Sequence, residues 1–249
     1  MRTPMTYQYQ DASKMIDHAL LLPTLTVEQL DLGCRVAAAY DVASVCILPY
    51  YVRQCAELLG DSTVLPSTVI GFPHGGQATS TKLAESERAI EDGAIELDMV
   101  VNISAVLSGN WSYVRDEISS IVELAHASDR KVKVIFENCY LQDAHKVQLC
   151  EISSECGADW VKTSTGFGTS GATIEDLTLM LKHARKPTEV KAAGGVRDLA
   201  TLQQVRAMGV TRVGASATAA ILDAARVELN LDPIELPGNA ADGSQRSGY

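Results

Sequence analysis

The sequence predicts a (β/α)8 barrel of the TIM type, and three observations carry the prediction. Short runs rich in valine and isoleucine alternate with longer segments of helical spacing along the chain. The alternation recurs at roughly 20- to 35-residue intervals, the signature of a parallel sheet covered by helices. Eight such units in 249 residues match the size of one barrel. A doubly wound open sheet is the weaker alternative, because no GxGxxG follows the first apolar run.

Taken in order, "IDHALLLP" (16–23) is the first strand, and Thr26 with Gln29 three residues later marks a helix start. "VASVCILP" (42–49) and "VLPSTVIGFP" (64–73) are the second and third strands. In "TKLAESERAIEDGA" (81–94), Leu83, Ala84, Ala89 and Ile90 share one helical face, and Gly93 closes the pattern. "AIELDMVVN" (94–102) is the fourth strand, followed by helical spacing over 112–127. "KVKVIFEN" (131–138) is the fifth, followed by a helix over 143–156 that Gly157 ends. "ADWVKTS" (158–164) is the sixth, and Thr173 with Asp176 opens the helix over 174–185. "TEVKAAGG" (188–195) and "TRVGAS" (211–216) complete the set, with helices over 198–208, closed by Gly209, and 216–229. Near-continuous apolar runs of this kind are strands covered on both faces. One domain is expected over residues 1–236, with the Gly/Asp/Ser-rich segment 237–249 as a mobile tail.

Composition narrows the function classes. Apolar residues make up 46% and charged residues 21%, ordinary for a globular enzyme. A net charge of -10 argues against nucleic acid as a partner, since phosphate backbones need a basic stripe. The six cysteines form no CxxC pair and read as reduced thiols of a cytoplasmic protein. The five histidines show no HxxxH or HExxH spacing, so no metal site is expected. No apolar run approaches the roughly 20 residues that span a bilayer, so no membrane partner is expected.

In a barrel the active site forms at the C-terminal ends of the strands. Those positions hold Asp17, Cys46, Asp98, Asn102, Glu137, Lys162 and Lys191. "WVK" and "EVK" on successive strands point both lysines inward if their apolar neighbours pack against helices. A buried lysine beside a like charge loses its proton more readily, and a neutral amine attacks a carbonyl to form an imine. Asp98 is placed to move the protons that such chemistry needs, although a plain salt bridge to either lysine is equally compatible. "TSTGFGTSGAT", "AAGGVRD" and "GASATAA" follow strands six, seven and eight. Each offers backbone N–H groups near a helix start, as a phosphate site requires. The residues therefore point to a phosphorylated aldehyde or ketose. A barrel lyase acting on another phosphorylated sugar, or a silent sugar-phosphate binder, stays open.

These segments, from "IDHALLLPTLT" (16–26) through "AIELDMVVNISAVLSGNW", "GADWVKTSTGFGTSGAT" and "VKAAGGVRD" to "VGASATAAIL" (213–222), resemble the deoxyribose-phosphate aldolases. That family comprises metal-free Schiff-base aldolases on TIM barrels. The resemblance implies reversible cleavage of 2-deoxyribose 5-phosphate to glyceraldehyde 3-phosphate and acetaldehyde, with no cofactor, in a homodimer. It implies Lys162 as the imine-forming residue, Lys191 as its perturbing neighbour and Asp98 as the proton relay. Asp17, Cys46 and Thr163 would line the pocket; Gly166, Gly194, Gly195, Arg197, Gly214 and Ser216 would hold the phosphate. Tyr249 matches a terminal tyrosine that assists proton abstraction in some members. Ala19 and Leu22 depart from the family's usual "DHTLLKP", Phe167 replaces a lysine of some relatives, and Ala217 a frequent serine. The last two changes predict weaker phosphate binding, carried by backbone N–H groups and Arg197.

Overall fold

A computed structural model describes residues 7–236. The tail expected to be mobile, with Tyr249, lies outside the described residues, as do residues 1–6. Eight parallel strands close into a barrel in sequence order: β1 (Ile16–Leu20), β2 (Ser44–Ile47), β3 (Leu65–Ile70), β4 (Glu96–Val100), β5 (Lys131–Ile135), β6 (Trp160–Lys162), β7 (Glu189–Ala193) and β8 (Arg212–Ala215). Pairing of Asp17 with Gly214 and of His18 with Ala215 joins the last strand to the first. The single-barrel expectation is met.

Ten helices accompany the strands among the described residues: α1 (Tyr9–Ser13), α2 (Val27–Ala39), α3 (Val52–Leu59), α4 (Thr79–Glu91), α5 (Ile103–Leu107), α6 (Trp111–Ala127), α7 (Asp143–Glu155), α8 (Ile174–His183), α9 (Leu199–Met208) and α10 (Thr218–Glu228). The caps read from sequence are present. Thr26 Oγ1 accepts from Gln29 N while Gln29 Oε1 accepts from Thr26 N, and Thr173 Oγ1 accepts from Asp176 N. Helices α1, α3 and α5 were not expected. The first and last are single turns of five residues, too short to show periodicity. Before α3, a 3-10 turn over Pro49–Tyr51 breaks the apolar pattern.

Outward strand residues Val45, Leu97, Met99, Val132, Val134, Val161, Val190 and Val213 share one core with Leu30, Ile118, Ile121, Leu149, Leu202 and Ile221 of the helices. Each such side chain contributes about 1.5–3 kcal/mol on burial. The inward positions are not part of that core. They carry charge, where a barrel of this type is ordinarily filled by branched aliphatic layers.

Candidate active site

The staves bring Asp17, Glu96, Asp98, Lys133, Lys162, Lys191 and Arg212 into one buried cluster. Strand register makes Lys162 and Lys191 direct neighbours, and places Asp98 beside Lys133. Lys162 Nζ and Lys191 Nζ both donate to Asp98 Oδ2, each at 2.7 Å. Lys191 also meets Asp17 Oδ2 at 2.5 Å. Lys133 Nζ donates to Asp98 Oδ1 at 2.7 Å and to Glu96 Oε2 at 2.6 Å. Below them Arg212 bridges Glu96 and Asp17, and Ser44 Oγ donates to Asp17 at 2.7 Å. The Trp160 ring lies against Lys133 and Arg212, 5.6 and 5.1 Å from its centroid, and shuts the inner end of the cluster.

The charges do not balance. Three carboxylates (Asp17, Glu96, Asp98) face four basic groups (Lys133, Lys162, Lys191, Arg212). Unpaired charge is costly in a dry interior, so the cheapest arrangement leaves one amine neutral. Burial lowers the Lys162 pKa, opposed by Asp98 and reinforced by Lys191. Burial also acts on Lys191, but Asp17 and Asp98 outweigh it and hold that amine above the ordinary lysine value. Lys133 is likewise raised, burial being overcome by Asp98, Glu96 and Asp17. Burial would raise Asp98, yet Lys133, Lys162 and Lys191 together hold it well below the carboxylate range. Of the three lysines, Lys162 is therefore the one whose charged form the cluster favours least. Burial is a larger cause of the Lys162 shift than the like charge of Lys191, and Asp17 is the leading group that holds Lys191 up.

Lys162 opens into a cavity of about 380 Å³ at the C-terminal mouth. Ten of the expected residues line it: Asp17, Cys46, Lys162, Gly166, Lys191, Gly194, Gly195, Arg197, Gly214 and Ser216. Two described ones do not. Asp98 sits beneath Lys162, fully enclosed. Thr163, expected to touch substrate, turns its hydroxyl onto β7, accepting from Ala193 N at 3.0 Å and donating to Ala193 O at 3.1 Å. It ties β6 to β7 instead. The Cys46 thiol is raised, first by burial and then by Asp98, and stays protonated.

The loops after β6 and β7 touch backbone to backbone: a Cβ on Gly171 would lie 2.5 Å from the Gly194 carbonyl. Ala172 N accordingly donates to the carbonyls of Ala193 and Gly194, each at 3.0 Å. Of the helix starts beside these loops, α8 is capped by Thr173 and α9 by Asp198, which accepts from Thr201 N at 2.8 Å. The start of α10, behind Ala217, has no side-chain cap. Its first N–H groups are thus not spent on a cap.

Sequence reasoning missed Lys133, Glu96 and Arg212. The signal existed in the alternation of "ELD", "KVK" and "RVG", which puts position 96 on the face of 98, 133 on that of 135, and 212 on that of 214. Among the described residues, no group of three His, Cys, Asp or Glu is placed to hold a metal ion. Nor, among the described residues, is any helix long and apolar enough to cross a membrane.

A parallel barrel whose mouth cavity ends on a buried amine–carboxylate cluster has the architecture of a barrel enzyme. The chain belongs to the DeoC/LacD family of aldolases, which it matches over residues 11–223. A curated relative from Rhodopirellula baltica, named deoxyribose-phosphate aldolase, is 60% identical over 237 residues, 95% of this chain and 98% of that one. Among solved structures, "QR15, an Aldolase" is similar at a TM-score of 0.84 and 35% identity, covering 89% of this chain and 99% of its own. The tetrameric deoxyribose phosphate aldolase of Aeropyrum pernix matches at 0.79 and 33%, covering 88% and 92%.

Proposed function

We propose that this aldolase reversibly cleaves 2-deoxyribose 5-phosphate to glyceraldehyde 3-phosphate and acetaldehyde through an imine on Lys162. The observation that carries the reading is the cluster's composition and placement: four bases share three buried carboxylates, and Lys162, which lines the cavity with Lys191, is the amine whose pKa burial lowers. Neutral Lys162 attacks the sugar's aldehyde carbon, and loss of water gives an imine. Protonated, the imine draws electrons from the C2–C3 bond as the C3 hydroxyl gives up its proton. Glyceraldehyde 3-phosphate leaves, the enamine takes a proton on carbon, and hydrolysis frees acetaldehyde and the amine. Asp98, bonded to both lysines, is the relay for these protons, and Lys191 supplies fixed positive charge beside it.

The phosphate is assigned to the uncapped start of α10 and the glycine loops after β7 and β8, with Arg197, Gly166 and Ser216 at the rim. Phe167, packed edge-on against Phe72 at 5.3 Å, brings no cation there. We read the protein further as a cytoplasmic homodimer. Six free thiols suit a reducing compartment, and the dimer rests on the family resemblance.

Borohydride added with acetaldehyde is expected to attach a two-carbon group to Lys162, seen by peptide mass spectrometry, and Lys162→Ala to abolish both label and turnover. Turnover that survives Lys162→Ala would end this reading.

A further inference from the structure

Glu137, one of the strand-end charges, has no part in the chemistry assigned to Lys162, Lys191 and Asp98. It follows β5, is 2% exposed, and stands at φ 58° and ψ 64°, a left-handed conformation uncommon for residues other than glycine. It precedes a 3-10 turn over Asn138–Tyr140 without giving that turn a side-chain cap. Its carboxylate is engaged instead by the loop after β6. Thr165 N donates to both oxygens, to Oε1 at 3.2 Å and Oε2 at 3.3 Å, and the Thr165 hydroxyl donates to Oε2. Thr165 Oγ1 in turn accepts from Phe167 N at 3.0 Å. A Cβ on Gly168 would stand 2.6 Å from Cys139 Sγ and 3.0 Å from Glu137 Cδ, so the two loops close on each other there.

A buried carboxylate and a left-handed backbone both cost stability, and such costs persist where a site needs a fixed geometry. A simple tie between loops needs neither, since Thr163 joins β6 to β7 with a hydroxyl alone. What Glu137 holds is a wall of the cavity: Thr165, Gly166, Phe167 and Gly168 all line it. Hydrogen bonds to a carboxylate are stronger than neutral ones, so they fix the amide and the hydroxyl together. With its proton on Glu137 and one lone pair on Phe167 N, the Thr165 hydroxyl meets a ligand only as an acceptor. The turn 165–168 closely follows Lys162 in the chain, beside whatever part of a substrate extends past the imine carbon.

We propose that Glu137 is a positioning residue for the sugar: it fixes the Thr165 hydroxyl and the turn 165–168, against which the carbons beyond the imine are held. The inference rests on the Lys162 reading. Glu137 does not touch the reacting atoms and acts through Thr165. It thereby separates two tasks of the site. Acetaldehyde is short enough to need Lys162 alone, whereas the longer sugar must also meet the turn. Loss of Glu137 therefore weakens binding of the sugar and leaves imine formation with acetaldehyde in place.

The test compares the full-length parent with Glu137→Gly, Glu137→Gln, Thr165→Val and the double variant Glu137→Gly/Thr165→Val. Each is assayed for cleavage of 2-deoxyribose 5-phosphate and for the rate of borohydride trapping with acetaldehyde. Glycine suits the left-handed backbone and removes only the carboxylate arm. Loss of the charge-assisted bonds is expected to raise KM about tenfold or more, while kcat and the trapping rate change less than about threefold. Glu137→Gln keeps an oxygen for Thr165 N and is expected to raise KM less than glycine does. It takes glycine's place in both comparisons where the glycine variant does not fold. The double variant is expected to be no worse than the poorer single one, because both changes break one contact. A parent-like KM in the folded Glu137 variants, or additive effects in the double variant, overturns the proposal and spares the Lys162 reading. A trapping rate that falls in step with cleavage makes Glu137 a general prop of β6 and overturns it too. A parent that cannot be trapped at Lys162 sinks the underlying reading, and the proposal with it.

Discussion

Lys82 and Lys162 are both removed from water, and the regions around them solve the same electrostatic problem differently. Lys82, on α4, has no exposed surface; its Nζ donates to Glu117 Oε1 at 2.7 Å and to the Val100 carbonyl at 2.8 Å. Glu117 Oε2 in turn accepts from Asn102 N at 2.9 Å. Burial dominates both partners, lowering Lys82 and raising Glu117, each partly offset by the other. One cation meets one carboxylate there, sealed between α4, α6 and the end of β4. At Lys162 burial also leads, but four bases compete for three carboxylates, and Lys162 and Lys191 line a cavity. A lowered pKa alone does not make a reactive amine. Surplus charge and access to a ligand do.

The largest way to break this comparison is to change the count. Lys191→Leu leaves two fixed cations for three carboxylates, so Lys162 becomes the third and keeps its proton. Its pKa then rises toward the ordinary value of about 10.4, and kcat/KM near pH 7 is expected to fall about 100- to 1,000-fold. The neutral fraction grows as pH rises through the pKa, so the acid limb of the pH profile moves to higher pH. Asp98→Asn removes a carboxylate instead, and that limb moves to lower pH while turnover falls for want of the relay. Opposite displacements identify charge as the cause. Equal or absent displacements would reduce both effects to structural damage.

Lys82→Met breaks the other region. It leaves Glu117 buried without its cation, at a cost of about 3–5 kcal/mol in denaturant unfolding. Adding Glu117→Leu is expected to recover most of that loss. Because Lys82 does not reach the cavity, the folded variant keeps its pH profile; a displaced profile would mean that the two regions communicate.

A smaller effect concerns the mouth. With Phe167 and Ala217 beside the phosphate loops, 2-deoxyribose 5-phosphate and plain 2-deoxyribose are expected to differ in KM by less than about a thousandfold, roughly 4 kcal/mol. A larger gap would show that the uncapped α10 start and Arg197 bind phosphate more strongly than the lost side chains suggest.

Much of this architecture was legible in the chain. Eight apolar runs gave eight strands, and strand-end position with two-residue alternation was enough to pick out Asp17, Asp98, Lys162 and Lys191. Lys133, Glu96 and Arg212 escaped because attention to strand ends passes over charges one layer deeper, and only the closed register shows that they meet. The bonding of the Thr163 hydroxyl to the Ala193 backbone was not legible, because alternation does not say when a strand-end hydroxyl binds its neighbour's backbone. The lining role of Leu21 and Leu22 was hidden by composition: "HALLLP" reads as buried strand, yet β1 stops at Leu20 and the following leucines line the cavity. Tyr249 lies beyond the described residues.

The most direct measurement is a pH titration of the Lys162 side-chain nitrogen in the native enzyme, by NMR of nitrogen-labelled lysine assigned with Lys162→Met. The account predicts an amine that has lost its proton well before the ordinary lysine range, while Lys191 and Lys133 keep theirs beyond it. A Lys162 signal that stays protonated to about pH 10.4, the unperturbed value, would contradict it.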